Sequence, residues 1–165
     1  MNIRTIQVSE VDMLFDLCVK IDNESSNMLF DKDERISLAT QQKKGFTALL
    51  NDENSNIWIV EDDNTFIAYL ICVGNNINRQ KHSAYIVMGV LNEFSNRGIG
   101  TLLLTNLINW AKEKSLKRLE LTVRSDNNAA LSLYKKMGFS IEGTKYSSLL
   151  IDSEFIDEFY MSKIL

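Results

Sequence analysis

Apolar and polar positions divide the chain into short, well-separated periods. Asn2 to Gln7 alternates weakly about Ile3 and Ile6 and predicts a first strand. Ser9 precedes Val11, Leu14, Phe15, Cys18 and Ile21, an amphipathic helical stripe whose Ser9-x-x-Asp12 start is close to a capping box. Asn23 to Asp31 is a polar break. A second helix, roughly Asp33 to Leu50, takes Ile36, Ala39, Phe46 and Leu49 as its anchors and Gly45 as a weak point. Ile57 to Glu61 and Thr65 to Val73 are strands joined by the turn residues Asp62-Asp63-Asn64, a hairpin. After a polar loop from Gly74 to Lys81, Ser83 to Val90 is an apolar fourth strand. Leu102, Leu103, Leu104, Leu107, Ile108 and Ala111 then recur at helical spacing, which predicts a helix from about Gly98 to Lys114. Lys117 to Arg124 sets Leu119, Leu121 and Val123 against Glu120 and Thr122, a half-buried fifth strand. Asn127 to Met137 is a helix ended by Gly138, and Phe139 to Leu165 holds two extended runs around Asp152-Ser153. The order β-α-α-β-β-β-α-β-α-β-β predicts a mixed α+β sheet in one domain over residues 1–165.

One junction in this pattern has a chemical use. Gly98 and Gly100 fall between the end of the fourth strand and the start of the helix that follows. The first N–H groups of a helix lack intrahelical partners and carry partial positive charge. Glycine lets an anion approach that backbone closely. The stretch reads as an anion cradle suited to phosphate; the plainer reading is a tight turn at a helix start. The Walker pattern is absent, and Leu103 stands where a dinucleotide fingerprint needs its third glycine.

Composition narrows the classes. With 165 residues, 45% hydrophobic and 24% charged, the chain suits one globular domain. No apolar run reaches the length that spans a bilayer, and Met1 to Ile6 lacks the apolar stretch of a signal peptide, so a cytoplasmic protein without a membrane partner is expected. A formal net charge of −4 and a pI of about 5.1 argue against nucleic acid as a partner. Cys18 and Cys72 lie far apart in apolar surroundings and read as core thiols, and with His82 the sole histidine no metal site is expected.

Two motifs carry a resemblance. Ser95-Asn96-Arg97-Gly98-Ile99-Gly100 resembles the Arg/Gln-x-x-Gly-x-Gly/Ala pyrophosphate loop of the GCN5-related N-acetyltransferases. Ser95 departs from the pattern at the Arg/Gln position, and Arg97 is a substitute source of charge. Asn127, Ala130, Leu133, Tyr134, Gly138 and Phe139 match the same family's Asn-x-x-Ala-x-x-Leu-Tyr-x-x-x-Gly-Phe segment. The ending, from Glu142-Gly143-Thr144 to Asp157-Glu158-Phe159-Tyr160-Met161, looks like the branch that acetylates small amines, amino acids or protein N-termini.

The resemblance implies an acyl-CoA N-acyltransferase fold: a twisted, mostly antiparallel sheet of about seven strands, helices on both faces, and fourth and fifth strands that part. It implies acetyl-CoA as co-substrate, with the pantetheine arm laid along the backbone of Met88 and Val90. The diphosphate would lie on Ser95, Asn96, Arg97, Gly98, Ile99, Gly100 and Thr101. Gly89 is the expected site of a bulge that opens the sheet; close packing is the alternative. Asn127 would contact the arm, or cap its helix, or both, with Asp126 competing for the cap. Tyr134, seven positions further on the same helical face, would be the general acid for the departing thiolate; otherwise it is a core aromatic. Family members often use a Glu on the fourth or fifth strand as base, and Thr122 stands where some relatives carry it. Glu120 is the candidate here, against a solvated strand-edge charge, with Glu93, a water on Tyr85, and bulk water as alternatives.

The function expected is acetyl transfer from acetyl-CoA to a primary amine by direct attack in a ternary complex. A non-catalytic acyl-CoA sensor and a plain structural domain are the alternatives. Asp22, Glu24, Asp31, Asp33 and Glu34 could draw an amine cation or form a solvated charged loop. A homodimer through Phe155, Ile156, Phe159 and Tyr160 would cover an apolar surface.

Overall fold

The computed structural model describes Met1 to Leu165. The elements follow the expected order: β1 (Asn2–Thr5), α1 (Val11–Glu24), α2 (Ala39–Leu50), β2 (Asn56–Asp62), β3 (Thr65–Gly74), β4 (Ser83–Val90), α3 (Ile99–Glu113), β5 (Arg118–Arg124), α4 (Asn128–Lys136), β6 (Ser140–Ile151) and β7 (Glu154–Ile164). The strands form one seven-stranded sheet in the order β1-β2-β3-β4-β5-β7-β6. Every neighbouring pair is antiparallel except β4 and β5. Two hairpins are closed by paired left-handed residues that match strand twist, Asp63 (φ 47°) with Asn64 (φ 60°) and Asp152 (φ 49°) with Ser153 (φ 66°).

β3 lies at the centre. Phe66 to Cys72 are all buried, because helices cover both faces of the sheet there. Side chains alternate along β4. Tyr85, Val87 and Gly89 face α1, where Ile21 approaches Gly89; Ile86, Met88 and Val90 face α3 and α4, where Met88 approaches Gly100. The 35 buried apolar residues form one cluster.

The front of the chain departs from its periodicity. α1 is preceded by a turn of 3-10 helix over Val8–Glu10, and Glu10 Oε2 accepts the N–H of Gln7 at 2.8 Å, so the cap is Gln7–Glu10 rather than Ser9–Asp12. The expected second helix divides: Glu34–Leu38 is 3-10, and only from Ala39 is it α-helical. Ile36 is 52% exposed and anchors nothing, while Arg35 is buried in its stead. The cause is Asp22 on α1, whose carboxylate takes Arg35 Nε at 2.5 Å and Nη2 at 3.2 Å and turns that face of the segment inward.

Gly89 is not a bulge. The β3–β4 register runs through it unbroken, with Tyr69 directly opposite. A Cβ on Gly89 would come within 2.8 Å of the Tyr69 ring, so the glycine is there for close packing. The sheet's irregularities lie between Val60 and Glu61 and in β6, at Ile141/Gly143 and Lys145/Leu149.

Candidate active site

β4 and β5 pair only from Ser83↔Arg118 to Tyr85↔Glu120 and then part. A side chain marks the fork. Tyr85 Oη lies 2.8 Å from Thr122 Oγ1 and accepts the Thr122 N–H at 3.3 Å, in the place where a β4 carbonyl would otherwise bond. Past the fork the β4 edge is open. Leu91 N–H bonds Ile67 O and Asn75 N–H bonds Ser83 O, so odd-numbered residues of β4 turn their backbone groups to β3. Met88 and Val90 therefore point N–H and C=O into the gap, as an amide-bearing arm would require.

The anion cradle lies at the far end. Asn96 (φ 61°) and Gly98 (φ 79°) are left-handed, and α3 begins at Ile99. Leu102 is the first residue of the helix to find an acceptor, Gly98 O at 3.0 Å. The N–H groups of Ile99, Gly100 and Thr101 are thus left for a ligand. The Ser95 N–H is taken by Asn92 O at 3.1 Å, whereas the N–H groups of Asn96, Arg97 and Gly98 find no acceptor within the protein and add to the cradle. The two glycines do different work. A Cβ on Gly98 would enter open space, whereas one on Gly100 would stand 2.6 Å from Leu133 Cδ2 of α4. Gly100 thus serves helix packing as well as the cradle. Arg97 folds back, bonding Glu93 O at 2.9 Å with its guanidinium 5.0 Å from the Phe94 ring.

α4 contributes the interior groups. Asn127 Oδ1 accepts the Ala130 N–H at 3.1 Å and caps the helix, which leaves its amide NH₂ free as a donor. Asp126 does not compete, because Arg124 holds it at 2.7 Å. Tyr134 is 8% exposed, with its ring 5.7 Å from Phe139. Its hydroxyl makes no hydrogen bond within the protein, and no fully buried polar side-chain atom lacks a partner, so that oxygen reaches accessible surface. Burial, then the neighbouring Tyr85 phenol, push its pKa up to about 12. It is a neutral donor at any ordinary pH.

On the opposite face of the sheet, Tyr85, Glu120, Thr122 and Tyr160 line a cavity of about 400 Å³ at the fork. Glu120 Oε2 takes Arg118 Nε at 2.6 Å; Oε1 is unengaged. Arg118 also binds Glu142 through both terminal nitrogens. The α1–α2 crossover is tied to β5 where Arg124 Nη1 donates to Ser26 O at 2.6 Å. Another hollow, beside Val8, Asp12 and Lys43, contains none of the expected site residues.

Met88 and Val90 thus lie on the open edge of β4, Ser95 to Thr101 at its far end, and Asn127 and Tyr134 on α4, which packs against Gly100, whereas Glu120 lies in the cavity on the other face, whose lining includes none of them. Of the acidic residues of the crossover only Asp22 is withdrawn from solvent; Glu24, Asp31, Asp33 and Glu34 are exposed. Asp22 is buried on Arg35, Glu24 holds Asn92 N–H at 3.0 Å, and Glu34 holds Asp31 N–H at 2.9 Å. The sequence pattern does not single out Arg118 or Glu142 as lining this site. Arg118 was findable, since it shares a strand face with Glu120 two positions on; Glu142 lies at a bulge that alternation does not reveal.

Comparison with known proteins agrees with this geometry. An L-amino acid N-acetyltransferase of Escherichia coli, AaaT, is 37% identical over 90 residues, 52% of this chain and 54% of its own length. The [ribosomal protein bS18]-alanine N-acetyltransferase of Salmonella typhimurium is 40% identical over 48 residues, 29% of this chain and 32% of its own. The chain spans about half the length of the first of these curated relatives. Among solved structures, a GNAT-family acetyltransferase of Streptococcus pneumoniae superposes with a TM-score of 0.91 at 24% identity, covering 99% of this chain and 98% of that one. The yncA protein of Salmonella typhimurium, solved with its cofactor acetyl-CoA, superposes with a TM-score of 0.82 at 14% identity, covering 100% and 94%. The fold is that of the acyl-CoA N-acyltransferases. A model of the Acetyltransferase (GNAT) family matches residues 19–139, and the chain belongs to that family.

Proposed function

We propose that residues 1–165 form one domain that transfers the acetyl group of acetyl-CoA to a primary amine by direct attack in a ternary complex. The observation that carries this is the open edge of β4 beside the free amides of α3, with the unpartnered hydroxyl of Tyr134 on the adjoining α4. Acetyl-CoA supplies an acyl group already activated as a thioester. The amides of Ile99, Gly100 and Thr101, with those of Asn96, Arg97 and Gly98 and the hydroxyl of Ser95, hold its diphosphate; the Arg97 side chain adds positive charge at the rim. Met88, Val90 and the Asn127 amide hold the pantetheine arm. A β4 N–H at the fork binds the carbonyl oxygen as charge gathers there. Glu120, through its unengaged Oε1, accepts the proton of the attacking amine. Tyr134 donates its proton to the departing sulfur. Neither cysteine takes part: burial pushes both thiols up to about 12, which leaves them poor nucleophiles.

Those two thiols also suit a reducing, cytoplasmic setting. Of the residues expected to form a dimer surface, Phe155 and Tyr160 are exposed while Ile156 and Phe159 are half-buried, Phe159 against the core; with Tyr146 and Leu150 also exposed on the β6–β7 hairpin, a homodimer through this arm is favoured, and sedimentation at a monomer's mass would remove that part. The activity is tested by free-thiol release from acetyl-CoA over a panel of amines, amino acids and short peptides. Acceptor-dependent release is expected. Tight acetyl-CoA binding with no release on any acceptor would leave an acyl-CoA sensor in its place.

A further inference from the structure

The acceptor side of the fork carries a charge arrangement that the reaction alone does not require. Arg118 donates its Nε–H to Glu120 at 2.6 Å and reaches Glu142 with Nη1 at 2.8 Å and Nη2 at 2.5 Å. Ser162 Oγ adds a bond to Glu142 at 2.6 Å. Glu142 reaches this face because β6 carries an extra residue between Ile141 and Gly143 opposite β7, the kind of bulge that re-aims a side chain. Held by guanidinium and hydroxyl, its carboxyl is pulled down to about 2 and stays ionised. Both Arg118 and Glu142 line the same cavity as Tyr85 and Thr122.

One cation therefore faces two anions. The other cations on this face do not redress the balance: Arg124 is held by Asp126 at 2.7 Å, and Lys145 stands 3.7 Å from Glu158. A protonated amine approaching Glu120 meets net attraction. A carboxylate on the carbon next to that amine meets two fixed anions, and the guanidinium that could have received it is already engaged on its Nε and on both terminal nitrogens.

We propose that this pocket selects primary amines that lack an adjacent carboxylate, such as an amidated amino acid, over free α-amino acids, with Glu142 as the specificity-determining residue. This rests on the acetyl-transfer function above and narrows its acceptor. Glu142 acts through its charge and its hold on Arg118, without touching the reacting atoms.

The test compares kcat/KM for L-alaninamide and L-alanine in the wild type, Glu142→Gln and Glu142→Asp, with acetyl-CoA affinity measured for each. The wild type is expected to prefer the amide by at least about tenfold, since like charges brought together at an interface are strongly disfavoured. Glu142→Gln is expected to reduce that preference at least about fivefold, chiefly by lowering KM for alanine, because the freed Arg118 fork can then take its carboxylate. Glu142→Asp keeps the charge and is expected to keep the preference. Comparing one ratio between variants cancels the intrinsic reactivities of the two amines. Equal use of alanine and alaninamide by the wild type overturns the proposal, as does an unchanged preference in Glu142→Gln that still binds acetyl-CoA. Acetyl-CoA binding without transfer to either amine, in a protein that acetylates another acceptor of the panel, overturns this selectivity alone; no release on any acceptor overturns the underlying function.

Discussion

Replacing Tyr134 by Phe removes one oxygen and leaves the ring. The structure separates the consequences. The ring keeps its buried place and its contact with Phe139 at 5.7 Å. The hydroxyl has no partner in the protein, so no donor or acceptor is orphaned by its loss. Folding stability is therefore expected to change by no more than about 0.5 kcal/mol, whereas breaking a satisfied buried hydrogen bond costs about 1–3 kcal/mol. The affinity for acetyl-CoA, set by backbone groups elsewhere, is expected to stay within about twofold. Catalysis should suffer far more. A positioned general acid contributes about 10²–10⁴-fold, or about 3–5 kcal/mol of barrier. Single-turnover acetyl transfer, which product release cannot mask, is the assay, alongside calorimetry and acetyl-CoA titration. The wild-type rate should also show no falling alkaline limb from this phenol below pH 10, because burial keeps its proton up to about 12. A single-turnover rate within about threefold of wild type would remove Tyr134 from the chemistry.

Further expectations follow from other parts of the structure. Gly98→Ala places a methyl group in open space at a left-handed residue. Stability should fall by about 1–2 kcal/mol from backbone strain, while acetyl-CoA affinity falls at least about tenfold, a loss of about 1.4 kcal/mol; unchanged affinity in a titration would place the diphosphate elsewhere. Asp22→Ala strands the Arg35 guanidinium, whose side chain is 8% exposed, and should lower stability by about 3–5 kcal/mol in urea unfolding; a loss under about 1 kcal/mol would contradict a buried clamp. Cys18 and Cys72 keep their protons up to about 12 against an ordinary 9.0. The unfolded chain loses them first, so their contribution is whole below pH 9 and declines from there to about pH 12. The slope is about 1.4 kcal/mol per pH unit for each thiol. Urea midpoints that stay level from pH 9 to 11 would contradict it.

Much of this architecture was legible in the sequence because its signals were local. β4 ends where the apolar run ends, at Val90. Gly138 closes α4 at φ 86°, with Phe139 N–H on Tyr134 O at 2.9 Å and its own N–H on Lys135 O at 3.0 Å, as a glycine after a helical stripe leads one to expect. What stayed hidden depends on partners distant in sequence. Arg35 reads as one more charge in a polar stretch until Asp22, on another element, draws it inside. A glycine in a strand looks the same whether it marks a bulge or makes room for a ring, and for Gly89 the answer lies in Tyr69 on the neighbouring strand. The fork likewise depends on a single phenol, Tyr85, reaching Thr122 thirty-seven residues away. Glu142 owes its direction to a register shift in β6 that no alternation pattern contains.

Titration of ¹⁵N-labelled protein with acetyl-CoA reports on the backbone groups themselves. The largest amide shifts are expected at Met88 and Val90 and from Ser95 to Thr101, with lesser ones at Asn127. Those sites should saturate together, at one dissociation constant. Shifts confined to the hollow around Val8, Asp12 and Lys43, or none at saturating coenzyme, would contradict a gap built to hold it.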